Sequence, residues 1–339
     1  MKNNLTIDVL RILAALAVVV IHVSAQYIHC EMSISNSMWW YANIFNSFSR
    51  WSVPVFIMIS GSLLINDKSF QNADLFFKRR IKRILVPLIF WSVFFIGFNR
   101  FITGFFSVKD TVGRLYTGEP YYHLWYLYLV VGLYFVTPAV SLVYANFSRK
   151  KRISVIAAIF IAAAINSMWS EYFGVAEQFF AFKFLPYLGY FMIGKELSDH
   201  KPRYHKYFYF GIWLLLSLLI GISTGLLKYL NFKDFTYFYD YLNPLVILQS
   251  ISFYVFMTQF ISAIRFREEY KNVISYVSVL TFGIYIIHPV FVEMGIEVME
   301  KFNVQNNMLV IPIFAFTAVL FSGVVAFIFT KIPYLRNLV

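Results

Sequence analysis

The chain has 339 residues, of which 60% are hydrophobic and only 14% are charged, and its mean hydropathy is +0.66. Soluble globular proteins usually carry about 25% charged residues, and a soluble chain of this size could not bury so much apolar surface in one core. The composition therefore excludes a soluble enzyme, a disordered segment and a secreted disulfide scaffold, and it predicts a polytopic membrane protein. The single cysteine, Cys30, excludes an internal disulfide and a thiolate metal cluster.

Ten apolar segments are long enough to be membrane spans, since a hydrocarbon core of about 30 Å requires roughly 20 apolar residues per helix. The loops between them are short, and no internal repeat interrupts the series. The sequence therefore predicts an all-α fold, a polytopic integral membrane helix bundle in which residues 1–339 form a single transmembrane domain. The predicted spans are 5–27, 39–65, 84–104, 123–144, 153–169, 179–197, 207–225, 242–264, 273–293 and 308–330.

The net charge of +12, from 29 Lys and Arg against 17 Asp and Glu, follows this topology. Twenty of the basic residues fall in segments on one predicted side of the membrane, and five fall in the alternate loops. Because cytoplasmic loops carry an excess of Lys and Arg, the asymmetry predicts that both termini are cytoplasmic. Membrane topology thus replaces nucleic acid as the explanation of the charge.

The competing interpretation of residues 1–27 is a cleaved signal peptide, which would leave nine spans.

Three ionisable residues, Asp8, Arg11 and His22, fall within the first predicted span. Ionisable groups at membrane depth are costly and commonly mark function. Asp8 and Arg11 are three residues apart and can pair on one helix face. His22 lies eleven residues after Arg11, about 20° past three full turns, so the two side chains share a face roughly 16 Å apart along the axis. This arrangement suits a long anionic substrate anchored on the cytoplasmic side, whereas the alternative is an ion pair and a histidine with purely structural roles.

Other polar residues in the spans extend this pattern. The predicted topology places His22, His123 and His288 in the outer half of the bundle, and it places Arg50 near the middle of the second span. Three histidines could bind zinc, but the sequence has neither an i, i+4 pair nor a supporting carboxylate motif, so no metal is predicted and acid–base chemistry is the favoured use. Arg50 requires either an acidic partner or an anionic ligand.

A dense basic segment follows the second predicted span, where five of the six residues Lys78–Arg83 are Lys or Arg. One interpretation is topology together with binding of anionic lipid headgroups. The other is a clamp for phosphate groups, because Arg forms bidentate contacts with phosphate. The residues alone leave both open.

Several short motifs, taken in order, resemble the membrane-bound acyltransferase-3 family. The opening motif is Asp8-Val9-Leu10-Arg11 followed by His22, which is similar to the family's signature of an Arg and a His separated by ten residues. The resemblance extends to about residue 292, and residues 46–61 look most like the stand-alone enzymes that O-acetylate bacterial surface polysaccharides. The other matching stretches are Ser52-Val53-Pro54-Val55-Phe56, Met58-Ile59-Ser60-Gly61, Arg79-Arg80-Ile81-Lys82-Arg83-Ile84 with Pro87, His123-Leu124-Trp125-Tyr126-Leu127, Tyr187-Leu188-Gly189-Tyr190, and Phe282-Gly283-Ile284-Tyr285 with His288-Pro289.

The resemblance implies an O-acyltransferase that moves an acyl group, expected to be acetyl, from cytoplasmic acyl-CoA to a hydroxyl of a cell-surface polysaccharide or a lipid-linked glycan. It implies that Arg11 and His22 are the essential pair and that Arg79, Arg80 and Arg83 bind the acyl-CoA. Acetyl-CoA is then a donor substrate, and no permanently bound cofactor is expected. The expected partners are acyl-CoA, the glycan and membrane lipids, and the expected location is the plasma (inner) membrane of a bacterium.

Residue chemistry and the resemblance together suggest that His22 acts as general base on the acceptor hydroxyl, with an acyl-histidine intermediate as the variant. Asp8, Arg50, His123 and His288 are candidates for supporting the reaction or binding the acceptor. Two other functions stay open. One is a transporter or flippase for a lipid-linked glycan, although the sequence shows no inverted repeat, and the other is a structural subunit. The sequence predicts neither the sugar nor the oligomeric state.

Overall fold

The structure is a computed structural model that describes residues 5–29, 34–65, 73–173, 179–200, 202–301 and 308–339, without the side chains of 73–82, 172 and 300. This part of the chain forms α-helices and short 3-10 turns and contains no strand. Eight of its helices are long and apolar enough to cross a membrane. The prediction of an all-α polytopic membrane protein is confirmed. The α-helices are α1 (Leu5–Ile28), α2 (Ser37–Ser49), α3 (Ser52–Leu64), α4 (Ala73–Thr103), α5 (Val108–Thr117), α6 (Trp125–Asn146), α7 (Arg149–Phe173), α8 (Leu188–Asp199), α9 (Lys206–Tyr229), α10 (Pro244–Ser262), α11 (Glu268–Lys301) and α12 (Val310–Lys331).

The helices cluster into two compact units. Unit 1 comprises Met1–Phe56 and His200–Ile328, and unit 2 comprises Ile57–Asp199 and Phe329–Val339. In unit 1, α1 packs against α2, α10 and α11, and α9 packs against α2 and α10. In unit 2, α6 packs against α4 and α8, and α7 packs against α8. The single transmembrane domain over residues 1–339 stays a prediction.

The second predicted span is divided into two helices, α2 and α3, which are separated at Arg50 and Trp51. Pro54 gives the reason, because it has no N–H to donate to the carbonyl of Arg50 four residues earlier, and its ring crowds that carbonyl. The first hydrogen bond of the new helix runs from Val55 N to Trp51 O at 3.0 Å. At 13 residues each, neither helix alone spans about 30 Å of hydrocarbon.

The sixth predicted span, 179–197, also differs from a continuous helix. Two 3-10 turns, Phe180–Phe182 and Leu185–Tyr187, precede the 12-residue helix α8. Pro186 lies within the second turn and cannot continue an α-helix from the residues before it. The count of ten spans and the cytoplasmic position of both termini therefore stay predictions.

The loop after the third predicted span contains a short helix, α5, that the sequence analysis did not predict. Ser107 caps its beginning, where Ser107 Oγ accepts a hydrogen bond from Asp110 N at 3.2 Å. Gly118 ends it with φ of 71°, a left-handed conformation that glycine adopts without steric cost. The preceding helix α4 begins at Ala73, so the basic segment Lys78–Arg83 is helical.

Candidate functional site

Helix α1 contacts α11 near both of its ends. Close to its beginning, the Asp8 carboxylate accepts hydrogen bonds from Ser275 Oγ at 3.0 Å and from Ser278 Oγ at 2.9 Å. Towards its end, the His22 ring stacks on the His288 ring, with 5.1 Å between the ring centroids. Because the contacts advance in the same direction along both helices, α1 and α11 run parallel, as the alternating topology requires of the first and ninth spans.

Arg11 is held by Asp8, as the three-residue spacing predicts. The Arg11 Nη1 atom lies 3.8 Å from Asp8 Oδ1, and the Arg11 side chain is 32% exposed whereas that of Asp8 is 13% exposed. Since two serines of α11 donate to the same carboxylate, the pair is anchored to the neighbouring helix. The exposed part of the guanidinium can contact an anionic ligand without breaking this anchor.

His288 is fully buried and bound to its own helix. Its Nδ1 atom lies 2.7 Å from Tyr285 O and 3.2 Å from Ile284 O. Pro289 cannot donate a helical hydrogen bond to Tyr285 O, so that carbonyl can accept from the imidazole instead. Carbonyl oxygens only accept, so Nδ1 carries the hydrogen, and the neutral ring has its lone pair at Nε2. The stack therefore joins His22 to an imidazole of fixed tautomer.

Arg50 lies at the break between α2 and α3 and is surrounded by unit 1 groups. Its Nε donates to Asn46 Oδ1 at 2.6 Å, and its Nη1 donates to Tyr239 O at 3.2 Å. The guanidinium carbon lies 4.3 Å from the centroid of the Tyr239 ring and 5.7 Å from that of Tyr241. Within the described part of the chain, Arg50 forms no ion pair, although the Asp240 carboxylate attracts it from a longer distance. Because the partners of the guanidinium are aromatic rings and neutral oxygens, its charge can still bind an anionic group.

The charge of Arg50 acts on the C-terminal end of α1. One residue beyond α1, burial lowers the pKa of His29, and the charge of Arg50 lowers it further. Asn46 provides the direct link, because its amide also bonds the turn of α1 that contains His22. We call the group formed by Asp8, Arg11, His22, Arg50 and His288 the unit 1 site.

His123 belongs to unit 2 and is fully buried in an aromatic cluster. Its ring centroid lies 4.8 Å from that of Phe95, 5.9 Å from that of Tyr121 and 5.7 Å from that of Tyr122. The structure therefore brings His22 and His288 together and describes His123 in a different unit.

The basic segment on α4 is also part of unit 2. Arg83 is exposed. The side chains of Arg79 and Arg80 lie outside the described part of the structure. The continuous helix puts Arg79 and Arg83 one turn apart.

Five side chains that hold the unit 1 site in place were not predicted from the sequence. Spacing contained a signal for some of them, because a polar residue four positions before Arg50 in an apolar segment can reach the guanidinium on a helix. Likewise, two serines three residues apart on α11 share a face. The aromatic residues that surround Arg50 follow a different helix and gave no local signal. The five are Asn46, Tyr239, Tyr241, Ser275 and Ser278.

A metal centre finds no ligand set in the part of the chain that the structure describes. No group of three or more His, Cys, Asp or Glu side chains there could hold a metal ion. The polar groups of the unit 1 site are two imidazoles, two guanidinium groups and one carboxylate. Such groups can move a proton, bind an anion and stabilise developing negative charge.

Comparison with known proteins gives one match. A family model described as an acyltransferase domain, that of the acyltransferase-3 family, matches residues 4–327. Neither the curated proteins nor the solved structures include a match to this chain. The matched range includes every residue of the unit 1 site and the basic segment on α4.

Proposed function

Because the chain belongs to the acyltransferase-3 family, it is a membrane acyltransferase, and we propose that it transfers an acetyl group from cytoplasmic acetyl-CoA to a hydroxyl of a polysaccharide or lipid-linked glycan. The observation that carries the proposal is the His22–His288 stack. His22 lies on the same helix as the anchored pair of Arg11 and Asp8. The stack supplies a proton acceptor, and Arg11 supplies a binding group for a phosphate-bearing donor.

In the proposed reaction, His22 removes the proton from the acceptor hydroxyl as general base. The hydroxyl oxygen attacks the thioester carbonyl, so a C–O bond forms and the C–S bond then breaks. The departing CoA thiolate takes up the proton, and the products are the O-acetyl glycan and CoA thiol. His288 supports His22 from its stacked position. The variant in which His22 first becomes acylated uses the same residue as a nucleophile.

Arg50 is proposed to stabilise the oxyanion that develops on the thioester carbonyl. Donors fixed before the reaction stabilise such charge most effectively, because they require no reorganisation. Its contacts with Asn46 and Tyr239 fix two sides of the guanidinium. Arg has five N–H donors, and among the described residues Arg50 forms no ion pair with a carboxylate.

Donor binding is proposed for Arg11 and for the basic segment on α4. Arg11 and His22 are separated by a rise of about 16 Å along α1, a span suited to the pantetheine arm of CoA. Arg79, Arg80 and Arg83 would bind the CoA phosphates, since guanidinium groups form strong paired hydrogen bonds with phosphate. His123 is proposed to contribute to acceptor binding indirectly, by supporting the exposed ring of Tyr122, which can stack on a sugar. The proposed location is the plasma (inner) membrane of a bacterium.

The test compares the surface glycan of cells that express the wild-type chain, the His22→Ala variant or no chain. Mass spectrometry is expected to show glycan units heavier by one acetyl group only with the wild-type chain. Glycan of unchanged mass in all three strains, together with loss of its surface display when the chain is missing, would instead support transport of a lipid-linked glycan.

A further inference from the structure

We propose that Asn46 is a positioning residue that holds the Arg50 guanidinium against the turn of α1 carrying His22. This inference rests on the proposed function and gives a role to a residue that had none among the predicted site residues. The Asn46 side chain is fully buried. Its Nδ2 donates to Ile21 O at 3.2 Å and to Ser24 Oγ at 2.9 Å, while its Oδ1 accepts from Arg50 Nε at 2.6 Å.

The chemistry of the partners fixes the orientation of this amide. A guanidinium only donates hydrogen bonds, so the oxygen of the amide must face Arg50. The carbonyl of Ile21 only accepts, so the nitrogen must face α1. Both N–H groups and the oxygen of Asn46 are therefore used. No other residue of this size has two donors and an acceptor in that arrangement, because aspartate lacks the donors and leucine lacks all three groups.

The two attachments of Asn46 lead to the two groups of the proposed chemistry. One attachment is to α1, where Ile21 directly precedes His22 and Ser24 follows it within the same helical turn. The other attachment is the hydrogen bond from Arg50 Nε, which fixes one edge of the guanidinium, while Tyr239 contacts the guanidinium from one face. Asn46 therefore sets the distance between a group that removes a proton and a group that stabilises an oxyanion. A misplacement of about 1 Å between such groups can cost two orders of magnitude in rate.

A second buried amide in unit 1 provides a matched control. Gln249 is also fully buried, and its Nε2 donates to Ser47 O and to Ser217 Oγ, each at 2.8 Å. These bonds join α10 to α2 and α9 and involve neither Arg50 nor α1. Replacement of Gln249 by leucine removes hydrogen bonds of the same kind from the same unit, so it measures the structural cost of losing a buried amide.

The experiment is a double-mutant cycle on acyl transfer. The wild-type chain and the variants Asn46→Ala, Arg50→Ala, Asn46→Ala/Arg50→Ala, His22→Ala and Gln249→Leu are reconstituted in vesicles that contain the lipid-linked glycans of the expressing bacterium. Transfer of label from radiolabelled acetyl-CoA to glycan gives kcat and the KM for acetyl-CoA. Rates are expressed per amount of monodisperse protein after size-exclusion chromatography, so that loss of folded protein does not count as loss of turnover.

We expect Asn46→Ala to lower kcat about tenfold while the KM for acetyl-CoA changes by less than about twofold, because the residue acts on the transition state alone. Arg50→Ala is expected to lower kcat by about a hundredfold, the usual effect of removing an oxyanion donor. In the Arg50→Ala background, the Asn46→Ala substitution should lower kcat by less than about another twofold, since the effects of substituting residues that act together are not additive. Gln249→Leu should retain kcat within about twofold.

Additive losses, or a kcat for Asn46→Ala within about twofold of wild type, would overturn the assignment. A purely structural role predicts additivity and a loss of monodisperse protein similar to that of Gln249→Leu. If Asn46→Ala does not fold, Asn46→Ser removes the amide but keeps a neutral polar group, and the same coupling criterion applies. Transfer by wild type but not by His22→Ala supports the proposed function whatever Asn46 does. No transfer by wild type would contradict that function and this assignment together.

Discussion

Replacing Gly61 by alanine is expected to destabilise unit 2 by forcing α3 away from α8. A Cβ atom at Gly61 would lie 1.7 Å from Phe191 O and 2.7 Å from the carbon of the same carbonyl. Opposite to it, a Cβ at Gly194 of α8 would lie 2.1 Å from Met58 O of α3. Each glycine therefore faces the backbone of the other helix, the arrangement that lets membrane helices approach closely.

The cost follows from the size of the overlap. Ordinary van der Waals contact begins at 3.4 Å, so the Phe191 oxygen would have to move by 1.7 Å. That oxygen is backbone in a helix and cannot rotate away, unlike the end of a side chain. Overpacking usually costs about 1–3 kcal/mol, and this rigid contact should reach about 3 kcal/mol. At about 2.1 cal/mol/K of unfolding entropy per residue, the corresponding decrease in Tm for a chain of 339 residues is about 4 °C.

The assay heats detergent-solubilised protein and follows the remaining monodisperse fraction by tryptophan fluorescence during size-exclusion chromatography. Gly97→Ala is the matched control, because a Cβ at that position of α4 meets no atom within 4 Å. It should leave Tm unchanged or raise it slightly. A Gly61→Ala variant as stable as Gly97→Ala would refute the close approach of α3 and α8.

Two further substitutions separate function from stability. Asp8→Asn removes the charge that holds Arg11 and should lower labelled acetyl transfer about tenfold per folded protein, which corresponds to one charge-assisted contact of about 1.5 kcal/mol. Glu196→Gln in unit 2 should lower stability by about 3 kcal/mol, because the buried carboxylate pairs with Arg152 and lies 3.9 Å from Arg149 Nε. Thermal unfolding measures this loss, and acetyl transfer per folded protein should stay unchanged.

Each of these substitutions is the control for the other. An Asp8→Asn variant with wild-type turnover would show that the ion pair does not position Arg11 for the donor. A Glu196→Gln variant with wild-type Tm would show that the arginines near Glu196 find other partners at no cost.

The sequence predicted helix α1 and its internal pair well, because local rules determine both. The segment from Leu5 to Ile28 is apolar and contains neither Gly nor Pro. The three-residue spacing of Asp8 and Arg11 brings them onto one face, and the structure has them in contact. The break at Arg50 was equally local, since Pro54 removes the donor for its carbonyl, but the apolar character of residues 39–65 predicted one continuous span.

The lateral arrangement of the helices could not be predicted. The predicted topology indicates how deep a residue lies in the membrane, but it does not indicate which helices are neighbours. His22, His123 and His288 were predicted at similar depth. The structure brings His22 and His288 together through packing of α1 on a helix more than 200 residues away in the chain. The aromatic and amide partners of Arg50 depend on the same long-range packing. That packing is decided by the fit of side chains, which single-sequence patterns do not contain.

The proposed function requires that His22 removes the proton from an acceptor hydroxyl during acyl transfer from acetyl-CoA. The most direct measurement uses purified, reconstituted protein, radiolabelled acetyl-CoA and extracted lipid-linked glycans, and compares wild type with His22→Ala and His205→Ala. His205 is an exposed histidine of unit 1 that precedes α9 and serves as the control. We expect His205→Ala to transfer label at the wild-type rate and His22→Ala to be slower by about a hundredfold or more. A correctly inserted His22→Ala variant that acetylates glycan at the wild-type rate would contradict the role of His22 as general base.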